Sequence, residues 1–132
     1  MSTSKWMPFE GCGLLIPSGP SKHLFFILTQ PCGNNKVALV NVSSVDPERY
    51  YDPTCVFEPG EHRFFQKRSY VFYEGARVMT VLSLQRGISS GDFSPHDPVS
   101  PSIFERICDG ILEAEATPQL VARYVSAQFA HK

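Results

Sequence analysis

The richest run of chemically capable side chains lies in residues 61–73, EHRFFQKRSYVFY. An imidazole exchanges its proton near neutrality, which makes His62 a candidate general base or acid. Lys67, Arg68 and, slightly further on, Arg77 offer cations for the charge that builds on the non-bridging oxygens of a phosphodiester. Ser69 and Tyr73 offer hydrogen bonds to phosphate. Phe64, Phe65, Tyr70, Phe72 and Tyr73 interleave with these bases. That is the composition of a groove for single-stranded nucleic acid, in which cations attract the backbone and rings stack on the bases. No paired carboxylates at metal-ligand spacing accompany them. The chemistry expected therefore needs no metal or cofactor, and the 2′-hydroxyl of RNA is its own nucleophile. The plainer alternative makes the rings core, the charges a solvated strand face and His62 a turn residue.

Twelve Lys and Arg against thirteen Asp and Glu give a net charge of −1, which excludes a polycation but not a local basic site. The distribution is uneven. Residues 61–86 carry Arg63, Lys67, Arg68, Arg77 and Arg86 against Glu61 and Glu74. From Asp92 onward, Asp92, Asp97, Glu105, Asp109, Glu113 and Glu115 outnumber Arg106, Arg123 and Lys132. No phosphate-binding glycine loop, zinc-protease helix or nucleophile elbow is present. Cys55 and His62 lack a second closely spaced ligand pair, so structural zinc is not expected. With no secretory signal at the start, a cytoplasmic protein is expected, its cysteines Cys12, Cys32, Cys55 and Cys108 reduced and buried as small hydrophobes. No apolar run is long enough to suggest a membrane span.

The elements that must position these groups are strands first and helices last. Residues 11–17, 23–30 and 36–45 are apolar or β-branched runs; the last two, joined by a Gly/Asn-rich turn, predict a hairpin. Residues 69–73 alternate, with Val71 and Tyr73 on one face and Tyr70 and Phe72 on the other. A further β-rich run is expected over 77–84, then a Pro/Ser/Gly linker over 87–100. Ile103, Phe104, Ile107, Cys108, Ile111 and Leu112 recur on one helical face, and Leu120, Val121, Tyr124, Val125 and Phe129 on another. Eleven prolines disfavour long helices elsewhere. The expectation is an α+β chain, mainly antiparallel β, with a small barrel over 1–90 and a helical appendage of the same domain over 91–132.

The order of the hairpins resembles the MazF/PemK toxin family. A short apolar strand leads through a turn and a basic residue into KHLFFILT (residues 22–29), then into VALVNVSS (residues 37–44) with its paired terminal hydroxyls. The resemblance spans roughly residues 11–85. It implies an SH3-like barrel that cleaves single-stranded RNA without metal, is held inactive by an antitoxin protein and allows for a homodimer. It sets Lys22 or His23 at the basic catalytic position and Ser43 or Ser44 at the hydroxyl position. The family's Arg-Pro pair is absent here, the preceding loop is short, and the two C-terminal helices exceed a minimal family barrel. The combined expectation is an endoribonuclease toxin with His62, Arg77, Lys22 and His23 catalytic and Ser44, Lys67, Arg68, Ser69 and Tyr73 on the substrate. The alternative is a non-catalytic barrel module that binds protein or RNA, and a small-molecule-binding barrel is a third.

Overall fold

The computed structural model describes residues 6–31 and 34–130. Six strands form one antiparallel sheet: β1 (Gly13–Ser18), β2 (Ser21–Ile27), β3 (Lys36–Ser44), β4 (Val56–Phe57), β5 (Ser69–Thr80) and β6 (Ser94–His96). Three helices accompany them: α1 (Val81–Ser90), α2 (Pro101–Glu113) and α3 (Gln119–Phe129). The strand order is β4-β5-β3-β2-β1-β6, so β4 and β6 lie at the two edges and no ladder among the described residues joins them.

The period of two in β2 and β3 sorts their side chains between two cores. Leu24, Phe26, Leu28, Ala38, Val40 and Val42 face one side, with Val71 and Tyr73 of β5 and with Ile103, Ile107, Ile111, Val121 and Val125 of α2 and α3. Phe25, Ile27, Val37 and Leu39 face the other, with Leu14 and Ile16 of β1 and Val81 and Leu84 of α1. The central strands are therefore apolar on both faces, which explains why residues 24–28 and 37–40 read as unbroken apolar runs.

The strongest irregularity lies where β5 crosses β3. Lys36–Leu39 pair with residues 77–80, whereas residues 41–44 pair with 69–72. Val40 thus stands opposite four residues, Tyr73, Glu74, Gly75 and Ala76, a wide bulge that carries three extra residues. An odd insertion reverses the alternation. Val71 and Tyr73 point into the helix-covered core, and beyond the bulge it is Ala76 and Val78 that do so.

Three expectations are corrected here. Residues 77–84 are not one strand, because β5 ends at Thr80 and α1 begins at Val81. Thr80 stays extended and its hydroxyl accepts the amide of Ser83 at 3.1 Å, capping the helix. Val81, Leu84 and Ile88, spaced at helical intervals, then pack on the sheet. The stretch 87–100 is not a plain linker either, since β6 within it pairs with β1. The described residues form three helices rather than two.

Tyr73 locks α2 to the sheet. It is fully buried, and its hydroxyl donates to the Ile107 carbonyl at 2.9 Å. Burial pushes its hydroxyl pKa well up. Gly110, one turn along α2, makes this approach possible, since a Cβ there would sit 2.0 Å from the Tyr73 oxygen. At the edge, Arg106 of α2 donates to Glu61 Oε1 at 2.6 Å and to the Val56 carbonyl at 2.7 Å, with its guanidinium 4.5 Å from the Phe57 ring centre. The amide of Glu58 and the Arg106 guanidinium together hold the Glu61 carboxyl below its usual range.

Gly110→Ala should lower stability by about 1–3 kcal/mol through overpacking, although alanine is the better helix former; a lower urea midpoint checks this. Because its folded pKa is depressed, Glu61 contributes stability above its unfolded pKa that is lost as pH falls through the folded value. The contribution is small because the pair is largely exposed. Stability of wild type should therefore fall more than that of Glu61→Gln on acidification through the carboxylate range, as read from denaturation midpoints.

Candidate functional site

Beyond the reach of α1, the second face of the sheet is left uncovered as a small polar cleft of about 160 Å³. Its floor is built from rows of paired residues. Phe25, Asn41 and Phe72 stand across β2, β3 and β5. Ile27, Leu39 and Arg77 form the next row. Ser43 pairs with Tyr70 on the far side, and His23, two residues before Phe25 on β2, shares its face.

Arg77 reaches across the floor, its guanidinium 4.8 Å from the Phe25 ring centre. Asn41 is buried and donates through Nδ2 to Ser43 Oγ at 3.3 Å. Gly75 in the bulge allows the walls to meet, since a Cβ there would lie 2.7 Å from Phe72 Cδ2 and 2.9 Å from Asn41 Oδ1. The cleft thus offers a planar cation, an imidazole, a hydroxyl, a carboxamide and two aromatic walls, with no carboxylate among its lining. Such a set suits an anionic group carried next to a flat ring.

The residues expected from the sequence divide between this cleft and other places. His23 and Arg77 line it together. Lys22 is exposed and alternates to the opposite face of β2. His62 is buried against the other core, its ring 5.6 Å from that of Phe26 and 5.2 Å from that of Phe65. Its Nδ1 accepts the Phe64 amide at 3.1 Å, which leaves Nε2 to donate to the Pro98 carbonyl at 3.2 Å. Both nitrogens are engaged, and the ring ties the loop after β4 to the segment before α2. Tyr73 lies in the same interior, under α2. Ser69 is buried and donates to the Lys67 carbonyl at 2.8 Å. Arg68 is exposed and pairs with Glu58 at 3.2 Å. Ser44 and Lys67 line a separate open depression with Phe64 and Gln66. Arg63 is paired with Asp97 at 3.1 Å.

Asn41 and Phe25 complete the cleft without having been singled out, and Tyr70 and Phe72 join them from the aromatic stretch expected to stack on bases. The signal for Asn41 was legible: a carboxamide interrupts the apolar run VALVNV, and a buried polar side chain needs a reason. Phe72 precedes the bulge and shares its face with Tyr70 by simple alternation; it is the face of Arg77 that depends on the bulge.

A larger cavity of about 510 Å³ adjoins the cleft and shares Tyr70 and Phe72 with it. It is also lined by Tyr50, Tyr51, Asp52 and Glu74, and by the exposed Glu113 and Glu115 from the end of α2. Tyr51 and Tyr70 lie 5.2 Å apart, ring centre to ring centre. Among the described residues no three His, Cys, Asp or Glu side chains converge as metal ligands, and no helix is long and apolar enough to cross a membrane. Cys12 and Cys55 are buried thiols whose pKa burial pushes up; Cys108 is half-buried on α2. Cys32 lies outside the described residues.

Gly75→Ala should displace the Phe72 ring or Asn41 and cost about 1–3 kcal/mol. A lower urea midpoint together with altered near-ultraviolet ellipticity would register it. Comparison with known proteins supplies no relative: no family model, curated protein or solved structure matches the chain, and its function is read from this cleft.

Proposed function

We propose that the chain is a metal-independent endoribonuclease that cleaves single-stranded RNA in the cleft of His23, Ser43 and Arg77. In this reading it is the toxin of a toxin–antitoxin pair and acts in the cytoplasm. Its antiparallel sheet is an SH3-like barrel with added helices. The observation that carries the reading is the meeting of His23 and Arg77, two residues of different strands, on an uncovered sheet face walled by Tyr70 and Phe72. The resemblance to the MazF/PemK toxins points to the same two hairpin strands, β2 for the base and β3 for the hydroxyl.

The chemistry follows from these groups. His23 takes the proton of the ribose 2′-hydroxyl, and the freed oxygen attacks the adjacent phosphorus. Negative charge grows on the non-bridging oxygens, where Arg77 neutralises it and Ser43 donates a hydrogen bond. The P–O5′ bond breaks, and the imidazolium returns its proton to the leaving oxygen. The products are a 2′,3′-cyclic phosphate and a 5′-hydroxyl. Tyr70 and Phe72 stack on flanking bases, and Lys67 neutralises a phosphate further along the strand. An antitoxin that covers the cleft, and a homodimer, belong to the same reading.

A second reading, a non-catalytic module that binds RNA or protein, is favoured by one observation. His23 is the one imidazole lining the cleft among the described residues, and a lone imidazole serves binding as well as proton transfer.

Incubation with single-stranded RNA in chelator should give fragments ending in cyclic phosphate. His23→Ala and Arg77→Ala should each slow cleavage by about 10²-fold or more, while His62→Gln should lower stability but keep the turnover of the folded fraction. Unchanged cleavage in the first two variants would reject this site. RNA retention without cleavage by wild type would assign the binding module.

A further inference from the structure

The cavity beside the cleft breaks a local rule. Glu113 is the last residue of α2 and Glu115 lies just beyond its cap, with no basic residue in the final turn. Carboxylates at a helix C-terminus face the negative end of the dipole and are unfavourable there. No ion pair among the described residues engages Glu74, Glu113 or Glu115. They line, with their carboxylates exposed, the space walled by Tyr50, Tyr51, Tyr70 and Phe72. The Asp52 carboxylate is occupied, its Oδ1 accepting from the Thr54 amide at 2.9 Å and the Thr54 hydroxyl at 2.5 Å.

We propose that this cavity is a base-recognition subsite that selects guanine in the RNA strand held by the neighbouring cleft; the proposal rests on the ribonuclease reading. Tyr70 and Phe72 belong to both spaces, so a strand whose phosphate lies against Arg77 places an adjoining base within reach of the cavity. The aromatic walls accept the flat face of any base. Its edge must then meet carboxylates, which only accept hydrogen bonds. Guanine alone among the four bases presents two adjacent donors on its Watson–Crick edge, N1–H and the 2-amino group, which one carboxylate can accept together. Adenine and cytosine pair each amino group with a ring-nitrogen acceptor there, and uracil flanks its single N–H with two carbonyls. Both of those patterns set lone pairs against lone pairs. The tyrosine hydroxyls are free to donate to guanine O6. The same carboxylates repel phosphate, which keeps the backbone in the cleft and admits only the base.

The test uses fluorescence anisotropy with 2′-O-methyl RNA octamers, which bind but cannot be cleaved. One strand carries a single guanine among uridines, a second has inosine in its place, and a third is all uridine. Wild type should prefer guanine over inosine, which lacks the 2-amino group, by about tenfold, the worth of one hydrogen bond to a charged group. In the double variant Glu113→Gln, Glu115→Gln that ratio should fall toward one while the all-uridine strand binds as well as before. Equal binding of guanine and inosine strands, or a ratio that survives the double substitution, overturns the subsite and leaves the ribonuclease reading standing. Absence of binding by every strand at low salt overturns both. Capture of an arginine-bearing peptide in that case, lost in the double variant, would assign the cavity to a protein partner.

Discussion

Everything distinctive in this chain follows from the bulge in β5 opposite Val40. A strand of twelve residues pairs with one of nine, and the three surplus residues are gathered at Tyr73–Ala76. In a strict alternation Arg77 would share a face with Val71 and Tyr73 and point at the α2 core. The odd insertion turns it to the face of Phe72 instead. Tyr73, the last residue before the insertion, keeps its aim at the helices, where its hydroxyl holds the Ile107 carbonyl. One backbone irregularity thus supplies both an anchor for one layer and a cation for the opposite face.

The two histidines of interest show how environment separates residues of one type. His62 has both ring nitrogens committed to backbone partners and two phenylalanines against its ring. Its role is to fasten a loop. His23 stands half-buried on the open face, beside a guanidinium and a hydroxyl. The basic segment divides in the same way. Arg63 and Arg68 are held in ion pairs, with Asp97 and Glu58. Arg77 lies instead over an aromatic ring in a cleft without acids.

How much of this was legible in the sequence depends on the range of the interactions. The β2–β3 hairpin was legible from its apolar runs and its turn. The faces of α2 and α3 were legible from their spacing. The α1 helix also left local marks, Thr80 with Ser83 at the cap and Val81, Leu84 and Ile88 on one face, but its β-branched start resembles a strand. The site was legible only in part. His23 and Arg77 were both named, for different reasons and without any sign that they meet, whereas Asn41, Tyr70 and Phe72 joined them through pairings across β3.

The sequence by itself determined the succession of strands and helices, the separation of a basic aromatic stretch from acidic helices, and the types of residue able to handle a phosphodiester. These are properties of near neighbours: periodicity, capping and turn chemistry act within a few residues along the chain. The tertiary structure decided the sheet order, the face on which Arg77 lies, the burial of His62 and Tyr73, and the joining of cleft to cavity at Tyr70 and Phe72. Each of these rests on pairing between strands distant in sequence. A shift of three residues there reverses every face beyond it, while the residues on either side keep the same local pattern.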